Sequence, residues 1–266
     1  MSTPDTSLKL TNPVLERMRA GQAALGLLVR LSRSADVARI ARASGHDFVF
    51  IDVQHGIFGL ETIAHIANAA LALGVAPVVR VRGTDDPDVS VLLDNGVTGI
   101  VFPDVNTAEQ ARQAVDRCRF APLGKRSAGG AVPHFDHRPV PTLDLVSALN
   151  DATLVVVMIE TVQALENLDA IAAVDGIDVL HVGSNDLLLD MGKPGQFDHP
   201  DLHDAQRRVN EAATANGKFS GSGGVRDVER QAQAIRNGAR FLTTQSDIAF
   251  LVGAANAWTT GVREGS

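Results

Sequence analysis

Short runs of Val, Ile, Leu and Phe punctuate the chain, and between them apolar residues recur every three or four positions. The runs are "ALGLLV" (24–29), "DFVFID" (47–52), "APVVRV" (76–81), "GIVFPD" (99–104), "TLVVVMIE" (153–160), "DVLHVGS" (178–184), "KFSGSG" (218–223) and "ARFLTT" (239–244). They are near-continuous rather than alternating, which suits strands of a parallel sheet covered on both faces. The intervening segments carry helix ends. Asp86-Pro87 offers an N-cap and a first-turn proline ahead of Val89, Leu92 and Leu93, and Gly96 follows as a stop. Thr107 and Gln110 have capping-box spacing, and Val162, Leu165, Leu168 and Ile171 keep one helical face. Gly45, Gly217 and Gly238 sit where helices should end. Strand and helix alternate eight times with no Pro/Gly/Ser-rich linker, which predicts one (β/α)8 TIM barrel over residues 1–266. An extra N-terminal helix is expected over 12–20, preceded by a flexible N-terminus at 1–11. Two irregular stretches, 121–141 and 184–201, have the length of functional loops.

Composition narrows the classes. At 266 residues, 45% hydrophobic and 21% charged, the chain has the size and apolar content that such a barrel needs. A net charge of -7, with the arginines scattered, leaves no basic footprint for nucleic acid. The lone Cys118 excludes an intrachain disulfide and a cysteine-based zinc cluster, and its amphipathic surroundings read as a packed helix. "MSTPDTSLKL" lacks a signal core, and no apolar run approaches the roughly 18 residues of a membrane span. A reducing, cytoplasmic setting with no membrane partner is therefore expected.

In barrels of this kind the chemistry sits at the C-terminal ends of the strands. There the chain places Asp52, Gln54 and His55, then Arg80 and Arg82, then Asp104, Glu160, and Ser184, Asn185 and Asp186. Glu160 is either a cap for the following helix, a task Thr161 could equally take, or a metal ligand; Asp186 is either a cap for "LLLDMG" or a second ligand. Two carboxylates on adjacent strands favour a shared cation, and with oxygen donors prevailing that cation is Mg2+, Mn2+ or Co2+. His55 is either an exposed loop histidine or a general base with Asp52 as its partner. Arg80 is either a structural ion-pair partner or the stabiliser of a developing oxyanion. Taken together these residues describe enolate chemistry on a 2-oxo acid. The only lysines are Lys9, Lys125, Lys193 and Lys218, none at the C-terminal end of an expected strand, so a covalent lysine aldolase is disfavoured.

The segments "FVFIDVQHG", "PVVRVRGTDDPDVSVLLDNG", "RFAPLGKRSAGG", "VVVMIETVQALENLDAIAAVDGIDVLHVGSNDL" and "HPDL" resemble, in order and spacing, the HpcH/HpaI family of metal-dependent (class II) pyruvate aldolases. The resemblance implies a modified (β/α)8 barrel, commonly a hexamer of two trimers, that cleaves 4-hydroxy-2-oxo acids to pyruvate and an aldehyde. It implies that Glu160 and Asp186 bind the divalent metal, that His55 accepts the proton and that Arg80 stabilises the enolate. It further implies that backbone amides at Asn185 and Asp186 receive the substrate carboxylate, that Arg126 contacts substrate across a subunit boundary, and that Asp94 raises the basicity of His55. Asp94 falls late in its expected helix, away from its own barrel mouth, so that role requires either an interface or a different helix placement. The chain departs from the family pattern at Gln54, where Glu is common, at Met158, where Gln is frequent, and at Ser184, whose hydroxyl is expected near the carboxylate pocket. Hydroxypyruvate accordingly stands beside pyruvate as a donor, because its extra hydroxyl needs a new polar partner. Two rival readings are a citrate-lyase-like acyl-CoA lyase and a phosphate-binding barrel isomerase built on "SGSGGV" (220–225).

Overall fold

The apolar runs become eight parallel strands: β1 Ala24–Val29, β2 Phe48–Asp52, β3 Ala76–Arg80, β4 Gly99–Phe102, β5 Leu154–Ile159, β6 Val179–Gly183, β7 Phe219–Gly223 and β8 Phe241–Ser246. The structure, a computed structural model, describes residues 10–265. Each strand pairs with the next, and β8 returns to β1, closing a (β/α)8 barrel with helices around it. Strand residues alternate between two apolar layers. Leu28, Phe48, Phe50, Val78, Val101, Val156 and Phe241 fill the barrel interior, while Val49, Ile51, Val79, Val155 and Val157 pack outward against helical residues such as Ile63 and Ile66. Phe48 and Phe241 stack at 4.5 Å inside the barrel. Gly26 is obligatory beside them, since a Cβ there would lie 2.1 Å from the Phe48 ring.

The extra helix, Pro13–Arg19, closes the end of the barrel away from the strand C-termini. Asn12 caps it by accepting from Val14 N, and its amide donates to the carbonyls of Thr98 and Ala152, which precede β4 and β5. Val14, Leu15 and Met18 then pack into the interior cluster. The expected flexible segment 1–11 lies outside the described residues up to residue 9. With one end plugged, the C-terminal end is the open mouth.

The helix punctuation holds at most positions. Thr107 and Gln110 form the capping box, and Gly45, Gly96, Gly217 and Gly238 follow helices with positive φ, where a side chain would be strained. Three local readings are corrected. The helix Val89–Asp94 begins after Asp88, and Asp86 is instead a buried loop organiser that accepts from the backbone of Arg82 and Asp88. The face from Val162 to Ile171 is split into helices Val162–Glu166 and Leu168–Ala172, because Asn167 turns its amide onto Asn106 O at 2.8 Å. The stretch 184–201 is not irregular throughout, since Ser184–Asp190 is helical. Residues 121–141 do stay largely irregular, with one short 3-10 turn, Pro133–Phe135, anchored by Phe120, Val132 and Phe135. Cys118 is fully buried and its thiol is pushed up to about 12 by that burial, so it is inert packing.

The last helix, Asp247–Glu264, contrasts with the rest. None of its residues is buried, and Leu251, Trp258 and Val262 are 61%, 75% and 60% exposed. Among the described residues, no helix is long and apolar enough to cross a membrane.

Candidate active site

Glu160 leaves β5 at the mouth and is only 2% exposed. Its Oε1 accepts from the backbone N–H of Asp104 at 2.8 Å, on a backbone held at φ 54. Its Oε2 is buried with no hydrogen-bond partner among the described residues. Gly183, the last residue of β6, makes that placement possible: a Cβ there would stand 2.3 Å from Oε2. Burial first, then the nearby charges of Asp104 and Asp186, pushes the carboxyl up to about 7 against the opposing pull of the Asp104 N–H and Arg80. Asp186 lies one strand away, in the first turn of Ser184–Asp190, exposed at the cavity.

The capping alternative for both carboxylates falls away. Thr161 caps the helix after β5, accepting from Ala164 N, and Ser184–Asp190 has no side-chain cap bond. A partnerless buried carboxylate oxygen with like charges beside it is what a cation would relieve, so the residues fit a divalent metal. Among the described residues no group of three or more His, Cys, Asp or Glu side chains converges on one point. Two carboxylates are thus what the protein brings, and the open positions suit a hard ion completed by water and substrate.

Arg80 faces them from the end of β3. Asp52, fully buried, accepts from Arg80 Nε at 3.0 Å and Nη2 at 2.8 Å, and from Arg30 Nε at 2.6 Å. Burial alone would raise Asp52, but the bonds and charge of Arg80 and then Arg30 hold it below its ordinary value. Asp52 therefore orients guanidinium groups, and the expectation that it partners the His55 ring is corrected: it meets only the His55 backbone N–H, at 3.3 Å. The geometry favours the arginines because Asp52 and Arg80 are register partners on adjacent strands. His55 itself is exposed and lines the cavity. Gln54 Oε1, next to it in sequence, is buried with no partner among the described residues, and Met158 lines the cavity with its sulfur 3.9 Å from Arg80 Nη1.

Other expected residues are distributed differently. Asn185 and Asp186 line the cavity, but Ser184 is fully buried, its hydroxyl without a partner among the described residues, and does not line it. Asp94 and Arg126 are not at this mouth. Asp94 ends the helix Val89–Asp94 and takes Arg126 Nη2 at 2.7 Å, while the Arg126 guanidinium lies 4.6 Å from the Phe120 ring centre. His134 is electrostatically coupled to this pair and lies 3.2 Å from the carbonyl of Val97, which precedes β4, so the cluster sits toward the opposite end of that strand.

Three cavity residues escaped the sequence. Arg30 follows β1 directly and Arg226 follows β7, so reading every strand end rather than the middle ones would have found both. His181 points inward from β6, packs edge-on to Phe241, and is pulled down to about 3 by burial and then by Arg80 and Arg226. It is a neutral ring. Its signal was the glycine pattern of β7: a Cβ at Gly221 or Gly223 would meet a His181 ring nitrogen at 2.4 Å. This corrects the phosphate-loop reading of "SGSGGV", whose first four residues are paired strand with the glycines making room for a ring.

Fold and site define a barrel enzyme whose mouth combines two carboxylates, a histidine and clustered guanidinium groups. The model of the family described as HpcH/HpaI aldolase/citrate lyase matches residues 26–254, and the chain belongs to that family. It is 38% identical over 249 residues to a 4-hydroxy-4-methyl-2-oxoglutarate aldolase of Chaetomium globosum, covering 92% of each chain. It is 33% identical over 253 residues to a hydroxypyruvate/pyruvate aldolase of Cupriavidus necator, covering 95% of this chain and 93% of that one. A crystal structure of an HpcH/HpaI aldolase from Desulfitobacterium hafniense superposes with a TM-score of 0.89 at 31% identity, covering 94% of this chain and 96% of the other. The chain is thus an enzyme of a class II aldolase family, whose members generally depend on a divalent metal.

Proposed function

We propose that this protein reversibly cleaves 4-hydroxy-2-oxo acids to pyruvate or hydroxypyruvate and an aldehyde. The observation that carries the reading is Glu160, a buried carboxylate with one oxygen unanswered, opening with Arg80, His55 and Asp186 onto one cavity. Relatives named for hydroxypyruvate/pyruvate and for 4-hydroxy-4-methyl-2-oxoglutarate support the substrate class. A divalent cation, Mg2+, Mn2+ or Co2+, held by Glu160 and Asp186, supplies Lewis-acid polarisation of the donor carbonyl when bound.

The chain's own groups do the remaining work. The first-turn amides at Asn185 and Asp186 receive the donor carboxylate. His55 takes the proton of the C4 hydroxyl in cleavage; the C3–C4 electron pair passes to the donor fragment, the C4 oxygen becomes the aldehyde carbonyl, and C3 is then protonated. In synthesis His55 takes the proton from C3. Arg80, held by two bonds to Asp52, offsets the charge that develops on the donor oxygen. Met158 presents a thioether where a polar contact would otherwise meet the donor.

The active form we propose is a homo-oligomer, a hexamer of two trimers. The unburied apolar residues of Asp247–Glu264 support burial against a second copy. The placement of Asp94 away from its own mouth supports its service to a neighbouring subunit's His55, with the buried Arg126 holding it in place. Cytoplasmic residence is proposed on the single, buried cysteine. The test is a screen of pyruvate and hydroxypyruvate against a panel of aldehydes with Mg2+, Mn2+ and Co2+, reading aldol formation. Metal-dependent carbon–carbon bond formation with either donor is expected, and none with any pair would overturn the reading.

A further inference from the structure

The pairing of β8 with β1 runs as far as Leu28 and Ser246. The next residue is Asp247, the first of the last helix, and its carboxylate takes over where the strand ladder stops. Its Oδ1 accepts from the backbone N–H groups of Arg30 at 3.1 Å and Ile248 at 2.9 Å, and its Oδ2 from Leu31 at 3.0 Å and Ser32 at 2.7 Å. Arg33 satisfies the same turn from its carbonyl side, donating to Arg30 O at 3.0 Å and Leu31 O at 2.7 Å. Burial works against the Asp247 charge, but the N–H groups of Ser32, Arg30 and Leu31 outweigh it and hold the carboxyl below its ordinary value. The turn after β1 is therefore pinned by an ionised side chain that lies 215 residues beyond Ser32 in the chain.

What the turn carries is Arg30. Its Nε reaches Asp52 at 2.6 Å, on the same oxygen that takes Arg80 Nη2 at 2.8 Å. Without Arg30, Asp52 and Arg80 would form a neutral pair, and the carboxylate would cancel most of the field that Arg80 presents to a donor oxygen. With Arg30, two guanidinium groups share one carboxylate, and the trio keeps a net positive charge where the enolate charge develops. The Arg30 side chain is 35% exposed, so little packing holds it and the bond depends on where the backbone of the turn sits. Moving the turn outward by about 1 Å would take that bond out of hydrogen-bonding range.

We infer that Asp247 is a positioning residue for the carbon–carbon bond chemistry: it fixes the turn after β1 so that Arg30 shares the Asp52 charge and Arg80 keeps its own for the enolate. The inference deepens the aldolase reading above and rests on it. It gives the last helix a part in the reaction, since the residue that aims Arg30 is the first of a helix that has no buried residue.

The test is calorimetric titration of the Mg2+-loaded protein with pyruvate and with oxalate, a planar dianion that mimics the charge of the pyruvate enolate. The readout is the ratio of the two dissociation constants, because a merely structural defect weakens both ligands alike. The wild-type protein prefers oxalate, and Asp247→Ala cuts that preference about tenfold, the worth of one charge-assisted bond. Arg30→Met, which leaves the Asp247 bonds to the backbone of the turn in place, cuts it as much. The double variant loses no more than either single one, because the two residues act in series. Asp247→Asn, whose carbonyl oxygen can still accept from the Arg30 N–H, keeps part of the preference and makes the same comparison should Asp247→Ala fail to fold. A wild-type protein without the preference, an undiminished preference in Arg30→Met, or losses that add in the double variant would overturn the inference. Because the titration needs no turnover, the two readings separate: the predicted shifts in a protein that cleaves no aldol retain the positioning role and sink the aldolase, and an active aldolase without them does the reverse.

Discussion

Replacing Glu160 with glutamine should stabilise the metal-free protein while removing its metal site. The carboxyl is raised from 4.5 to about 7, and each tenfold gain in proton affinity on folding is worth about 1.4 kcal/mol. A folded-state value above the unfolded one means that the folded protein holds the proton more tightly. The protonated acid's contribution is fully present below about pH 4.5 and is lost as pH rises through about 7, so at pH 8 the ionised side chain costs the fold up to about 3 kcal/mol. Glutamine cannot ionise, and its carbonyl can still accept from Asp104 N–H. Part of the gain is offset by burying an amide NH2 where Oε2 now lacks a partner, leaving about 0.5–2 kcal/mol. For a chain of this length that is a rise of roughly 1–8 °C in melting temperature. The assay is thermal or urea unfolding of both proteins in chelator at pH 8 and pH 5. The gap should be open at pH 8 and nearly closed at pH 5, since every other titrating group is common to the two. A Glu160→Gln protein less stable than wild type at pH 8 would refute the picture of a strained carboxylate waiting for a cation.

Further outcomes follow from the same geometry. His55→Gln should lower kcat by about 10²–10⁴-fold while leaving the metal-induced rise in melting temperature intact, and loss of that rise would place His55 in metal binding instead. Gly183→Ala puts a methyl group 2.3 Å from Glu160 Oε2; it should weaken metal affinity, read as a smaller metal-induced thermal shift, and an unchanged shift would mean that Glu160 is not a ligand. Gly221→Ala meets His181 Nδ1 at 2.4 Å and should cost about 1–3 kcal/mol of stability by overpacking, with an unaffected urea midpoint counting against the ring's placement. Leu251→Glu with Trp258→Glu should turn an oligomer into monomers by light scattering, and a monomeric wild-type protein would dispose of the assembly.

The barrel was legible because its eight buried strands need continuous apolar runs, and every run quoted from the sequence overlaps the strand it predicted. Helix ends set by glycine at positive φ were equally readable, since few other residues adopt that backbone. What failed was local competition among polar groups. Asp52 looked like a partner for His55, three residues on, but its register neighbour Arg80 and the end of β1 bring two guanidinium groups to it. Linear spacing carries no record of cross-strand contact. The same is true of His181, whose ring is accommodated by glycines about forty residues later. Asp94 and Arg126 illustrate the other limit: family likeness gave them roles across a subunit boundary, and a single chain displays only their pairing with each other.

The central claim is that carbon–carbon cleavage here runs on a divalent cation held by Glu160 and Asp186. It is tested most directly by stripping the protein with chelator, dialysing it, and following pyruvate release from a 4-hydroxy-2-oxo acid before and after Mg2+, Mn2+ or Co2+ is restored, with Glu160→Gln in parallel. Release should vanish on stripping, return with metal in the wild-type protein and stay absent in the variant. Undiminished release from the stripped protein, or from Glu160→Gln, would contradict the account.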